Sequence, residues 1–166
     1  RKVALMDIGA GNATFLEHYA KENSGSVCVS ISAHDMRGSL KTMENHTYIT
    51  GKNVENLIKV IHNGSAVPKQ YDFIFSKHTL MHVKDPLGLI QQAYKLLTPG
   101  GVLFVDSFNL NIDHTELSDP GLFIAQHLKK IGHCVILNHH HNKIISFAIS
   151  KIDEEKPLIF PVAYDE

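Results

Sequence analysis

Val3-Ala4-Leu5-Met6-Asp7-Ile8-Gly9-Ala10-Gly11-Asn12-Ala13-Thr14 decides the architecture: an apolar run, then a glycine turn, then a helical pattern. The run from Val3 to Ile8 reads as a strand covered on both faces. Phe15, Leu16, Tyr19 and Ala20 recur at helical spacing immediately afterwards. Glycines at 9 and 11 permit positive φ and let a ligand approach the backbone without a Cβ in the way. The helix that follows offers unpaired N–H groups to a polar or anionic ligand.

The same alternation continues along the chain. Further strands are expected at Ser26–Ser32, Thr47–Thr50, Tyr71–Ser76 and Gly101–Ser107. Helical stripes lie between them: Met36, Leu40 and Met43; Val54, Leu57, Ile58 and Ile61; Leu89, Ile90, Ala93, Tyr94 and Leu97. Asp85-Pro86 opens the last of these with an N-cap and a proline at N1, and Thr98-Pro99-Gly100-Gly101 is expected to stop it. Asp119-Pro120 repeats the opening signal for a helix reaching about Ile131, ended by Gly132. Cys134–Leu137 and Ile144–Ile149 then form two closely spaced β-runs that should pair antiparallel. Alternating strands and helices imply a parallel sheet, and the terminal hairpin adds an antiparallel strand. One domain over residues 1–152 and a C-terminal tail over 153–166 account for the chain.

Composition narrows the function. Sixteen Lys+Arg against seventeen Asp+Glu leave a formal charge of −1 in 166 residues, giving no electrostatic footprint for nucleic acid. No apolar stretch approaches the roughly 18 residues of a transmembrane helix, so no membrane partner is expected. Cys28 and Cys134 are too few for a disulfide framework and lack zinc-ligand spacing; a reducing compartment, the cytoplasm, is expected, with no metal. The chain starts at Arg1 and lacks the pattern of a signal peptide, which suggests a domain cut from a longer chain. Nothing in it specifies an oligomeric state.

A dinucleotide site would require G-x-G-x-x-G/A followed by an acidic residue about 20 positions on. Thr14 stands at the third small-residue position, and the second strand ends in Ser30-Ile31-Ser32 without a carboxylate. Both disfavour a nicotinamide-dependent oxidoreductase. The chain instead resembles a class I S-adenosylmethionine-dependent methyltransferase. Leu5-Met6-Asp7-Ile8-Gly9-Ala10-Gly11-Asn12 resembles the family's first motif, with the acidic residue two positions before the glycine loop. Tyr71-Asp72-Phe73-Ile74-Phe75-Ser76 and Leu80-Met81-His82-Val83-Lys84-Asp85-Pro86 resemble its fourth strand and the following helix. Leu96-Leu97-Thr98-Pro99-Gly100-Gly101-Val102-Leu103 resembles its turn into the fifth strand.

The resemblance implies a three-layer αβα Rossmann-like sandwich with a mostly parallel seven-stranded sheet and an antiparallel C-terminal strand. It implies S-adenosyl-L-methionine as cofactor and a small-molecule methyl acceptor. By the same carry-over, Gly9, Ala10, Gly11 and Asn12 would line the methionine part of the cofactor, assisted by Asp7. Ser30 and Ile31 would meet ribose and adenine, and Lys52, Asn53 and Val54 would flank the adenine edge. Ser76, Lys77 and His78 would lie beneath the sulfonium end.

Three departures favour an alternative, a methyltransferase-like binding module without catalysis. Ser30 replaces the family's usual carboxylate on the ribose diol, a loss worth roughly 10- to 150-fold in affinity. Asp35 is read as a cap of the next helix rather than a substitute. Gly51-Lys52-Asn53 offers a cation and an amide where an acid is frequent, and the family's helix before the first strand is missing.

Chemistry rests on two of the twelve histidines. His78 and His82 fall where the fourth strand meets its helix, four residues apart, and a base helps methyl transfer to a hydroxyl. His82 also reads as a packing residue. His139-His140-His141 cannot converge on one ion if extended, because successive side chains alternate faces; a turn is expected there. Ser76-Lys77-His78-Thr79 lacks the Asn/Asp-Pro-Pro-aromatic signature of amino-methylating nucleic-acid enzymes. The connection 109–118 would supply part of the acceptor pocket.

Overall fold

Five strands run side by side in one direction, and a sixth and seventh complete the sheet. The structure is a computed structural model that describes residues 1–11, 13–34, 43–63, 66–106, 120–140 and 143–152. The strands are β1 (Val3–Ile8), β2 (Ser26–Ser32), β3 (His46–Thr50), β4 (Tyr71–Lys77), β5 (Leu97–Asp106), β6 (His133–His140) and β7 (Lys143–Ser150). Their order across the sheet is β3-β2-β1-β4-β5-β7-β6. β7 is antiparallel to both β5 and β6, so it alone runs against the other six. The expected Rossmann-like architecture, a mostly parallel sheet of seven strands, is what the chain forms.

Helices α1 (Thr14–Glu22), α2 (Leu57–Asn63), α3 (Pro86–Lys95) and α4 (Pro120–Ile131) flank the sheet. The period-2 geometry of β1 sorts its side chains between the two faces. Ala4, Met6 and Ile8 point into a large core shared with Leu57 and Ile61 of α2, Leu89, Ile90 and Ala93 of α3, and Leu128 of α4. Leu5 points the other way, into a small cluster with Leu16 and Ala20 of α1 and Cys28 of β2. The capping reading of α3 holds in detail: the Asp85 carboxylate accepts from Gly88 N at 2.9 Å, with Pro86 in the first turn.

Several expectations change. Thr98-Pro99-Gly100-Gly101 lies inside β5 as an irregularity rather than ahead of it: Leu97 pairs with Tyr71, and the next paired position is Val102 with Phe73. The extra residues stay bonded, because Gly100 N donates to Lys151 O at 2.7 Å and Lys151 N to Gly101 O at 3.0 Å. The third stripe begins as a 3₁₀ turn, Val54–Asn56, before α2. β6 carries the extended backbone through His139 and His140, which pair with Ile144 and Lys143 where a turn was expected. Phe15 is 61% exposed instead of packing with Leu16 and Ala20. Of the expected 36–43 stripe, only Met43 is described, in a bridge with His46. Asn12, Asp35, Ser107, the 109–118 connection, Asp119, His141 and the tail lie outside the described residues.

Candidate functional site

The glycine turn is built by its neighbours as much as by its own sequence. Gly9 N and Ala10 N both donate to Ile31 O, at 2.8 and 2.9 Å, which ties the turn to the end of β2. Gly9 has φ +75°, and a Cβ there would fall 1.9 Å from Thr79 Oγ1. Glycine is therefore required twice at this position, by conformation and by space. Gly11 has φ +59° but open space around it, the arrangement of a loop that presents backbone outward. Ala13 is also left-handed, at φ 60°, and sits before α1 without a side-chain cap.

Beside this turn lies a cleft of about 650 Å³ on the α1 face of the sheet. Asp7, Gly9, Ala10, Ser76, Lys77 and His78 line its carboxyl-end rim, so six of the sequence-predicted positions converge. Phe15, Phe73, Phe75 and Phe104 form its apolar wall. Phe15 meets Phe75 edge-on at 5.1 Å between ring centroids. Ser76 is buried and donates to Ile8 O at 3.0 Å, which fixes β4 to β1 at the base of the site.

Charge is concentrated at the rim. Asp7 is only 7% exposed, and burial pushes its carboxyl up to about 7. Lys77 and Asp106 are cross-strand neighbours at the ends of β4 and β5. His78 N donates to Asp106 O at 3.3 Å, and His78 itself has φ 58°. A left-handed histidine costs on the order of 1–2 kcal/mol, which is the kind of strain found at working sites.

The remaining predicted positions lie elsewhere. Ser30 is fully buried and shares a 2.8 Å hydrogen bond with His46 Nε2, whose ring burial holds below its usual titration range. Ile31 sends its side chain into the large core and contributes its carbonyl to the turn. Lys52 is exposed, Asn53 caps the 3₁₀ turn by accepting from Glu55 N at 3.0 Å, and Val54 is buried. His82 is exposed in a second 3₁₀ turn, Leu80–His82, away from the cleft wall. Because α3 starts only at Pro86, His78 and His82 share no helical face, contrary to their spacing.

Sequence reasoning missed the aromatic wall, Asp106 and Tyr48. Phe73 and Phe75 alternate along β4, and a strict period-2 count would have separated them from Ile74. Tyr48 of β3 donates its hydroxyl to Gly11 O, a contact no spacing rule announces.

Gly9 and Gly11 shape a cradle, the start of α1 carries no competing side-chain cap, and a buried carboxyl faces the same cleft. These features fit an elongated ligand bearing an ammonium group near Asp7. Among known proteins, the ubiquinone biosynthesis O-methyltransferase of Vibrio cholerae is 30% identical over 146 residues, covering 85% of this chain and 54% of that protein. The Vibrio vulnificus enzyme of the same name is 31% identical over 157 residues, or 90% and 61% of the two chains. The chain thus spans little more than half the length of these relatives. An O-methyltransferase family protein from Burkholderia thailandensis shares the fold, with a TM-score of 0.59 at 14% identity over 93% of this chain and 52% of that one. A family model described as a methyltransferase domain matches residues 2–152, and the chain belongs to that family.

Proposed function

We propose that this domain transfers a methyl group from S-adenosyl-L-methionine to an oxygen of a small-molecule acceptor. The observation that carries the proposal is the convergence of Asp7, Gly9, Ala10, Ser76, Lys77 and His78 on one cleft rim. When bound, the cofactor supplies a sulfonium methyl as the electrophile. Gly9, Ala10 and Gly11 would hold its methionine portion, and Asp7, once ionised, would face its ammonium. Asn12, Ser30, Ile31, Lys52, Asn53 and Val54 stay assigned to the cofactor side, with Ile31 acting through its carbonyl and Ser30 through the packing of β2.

His78 is exposed at the rim and would accept the acceptor's hydroxyl proton. The phenylalanine wall keeps water from one side of the site. His82 would serve packing or orientation instead. The relatives' names specify an O-methyltransferase, which supports an oxygen nucleophile here. Near-neutral charge favours a small acceptor over nucleic acid. Among the described residues no helix is long and apolar enough to cross a membrane, and the two free cysteines suit the cytoplasm.

Calorimetric titration of S-adenosylmethionine and S-adenosylhomocysteine, with NAD as control, tests the cofactor class. It is run on this chain and on a longer chain that includes it. Micromolar binding of the first two without NAD supports the reading. Binding by neither chain would leave a domain that has kept the fold and lost the chemistry.

A further inference from the structure

The polar pair Ser30–His46 between β2 and β3 does not line the cleft, yet Tyr48 beside it reaches the glycine turn. In the sheet register Asp7 lies beside Ser30, and Ser30 beside Tyr48. The three side chains therefore leave the sheet on the same face, in one row across β1, β2 and β3. Neighbouring strands are about 4.8 Å apart, so Tyr48 starts roughly 10 Å from the β1 line. To reach the turn that follows β1, the tyrosine side chain has to lean across β2. On that strand Ser30 is the direct register neighbour of Tyr48, and it is small, fully buried and hydrogen-bonded to His46. The Tyr48 hydroxyl arrives at Gly11 and donates to its carbonyl.

We propose that Tyr48 is a positioning residue for the cofactor-binding turn, fastening Gly11 from the edge strand, with Ser30 kept small to let its ring pass. The proposal rests on the assignment of that turn to the cofactor. Gly11 has a left-handed backbone with no atom packed where a Cβ would stand, and its carbonyl accepts from Tyr48. The Ile31 carbonyl restrains Gly9 and Ala10; Tyr48 restrains the next residue along. The serine at position 30 then has a positive reason: a longer side chain would occupy the path of the tyrosine ring.

Tyr48→Phe removes the hydroxyl and keeps the ring. In the ligand-free protein, the carbonyl ¹³C resonance of Gly11 should move while those of β5 and β7 stay in place. S-adenosylhomocysteine affinity and the KM for S-adenosylmethionine should each worsen roughly three- to tenfold, with kcat and acceptor KM unchanged. Ser30→Asp should weaken cofactor binding as well. An unmoved Gly11 resonance, or a Tyr48→Phe protein that binds S-adenosylhomocysteine like wild type, overturns the proposal. If wild type itself fails to bind the cofactor, the functional reading falls, and the Gly11 resonance still decides whether the fastening exists.

Discussion

Asp7 is a carboxyl that the fold would be more stable without. It sits at the end of β1 with 7% of its surface exposed, and burial raises it from the ordinary 3.8 to about 7. The unfolded chain releases this proton near pH 4, whereas the native protein keeps it until about 7. Between those values the native state binds more protons, so stability falls as pH rises, and above about 7 the full cost is present. A displacement of that size corresponds to at most about 4 kcal/mol. Asp7→Asn keeps the shape and removes the ionisation. Even half the maximum, ~2 kcal/mol, would raise Tm at pH 8 by about 4–8 °C in a domain of this length. The gain should shrink steadily toward pH 4 and vanish below it, once the unfolded carboxyl is protonated too. Thermal unfolding of both proteins from pH 4 to 8 is the assay. The same variant should lose cofactor affinity, since an amide cannot pair with an ammonium. A Tm at pH 8 equal to or below wild type, or a gain independent of pH, would refute the reasoning.

Three further outcomes follow from the geometry. Gly11→Ala should cost only about 1 kcal/mol, because its Cβ meets open space, whereas Gly9→Ala drives a Cβ into Thr79 and should unfold or badly destabilise the domain; denaturant titration of the pair separates them. His78→Asn should keep the left-handed backbone and Tm but lower turnover on the order of 100-fold, measured as kcat in a methyl-transfer assay. Asp72 binds Arg1 through two bonds of 2.8 and 2.7 Å, Ala4 N at 2.9 Å and Thr98 Oγ1 at 3.0 Å. The Arg1 bond foremost holds its carboxylate down to about 2, so its stabilisation is present above about 4 and disappears as pH falls through 2. Asp72→Asn should lower Tm at pH 7 and make no difference at pH 2.

What could be read from the residues was whatever local chemistry dictates. Asp85-Pro86 marked the start of α3 because capping and a fixed φ act within four residues. The glycine turn was legible for the same reason, as was the antiparallel return of β7 after a short connection. Ser30 was not: its use depends on His46, sixteen residues away and brought alongside only when β3 pairs with β2. The four phenylalanines of the cleft belong to α1, β4 and β5, and only sheet formation makes them neighbours. Thr98-Pro99-Gly100-Gly101 reads as a helix stop ahead of the strand because the bonds that hold it in β5 come from Lys151, just past β7.

Among the described residues the two faces of the sheet carry unequal buried clusters, and this sets which described element opens first. On one side, α2, α3 and α4 share a large buried cluster; on the other, Leu16 and Ala20 of α1 rest on Leu5 and Cys28, with Tyr19, Met43, Phe73 and Phe75 partly buried around them. Opening free energy scales with the apolar contacts that must be broken, so α1 and the glycine turn form a low-cost cooperative unit above a much more persistent sheet. Amide protons of α1 should exchange with solvent long before those of β1, β4 and β5. A ligand that bridges the turn and the rim would draw this unit into the global stability of the fold, and its binding would register most strongly as protection of α1.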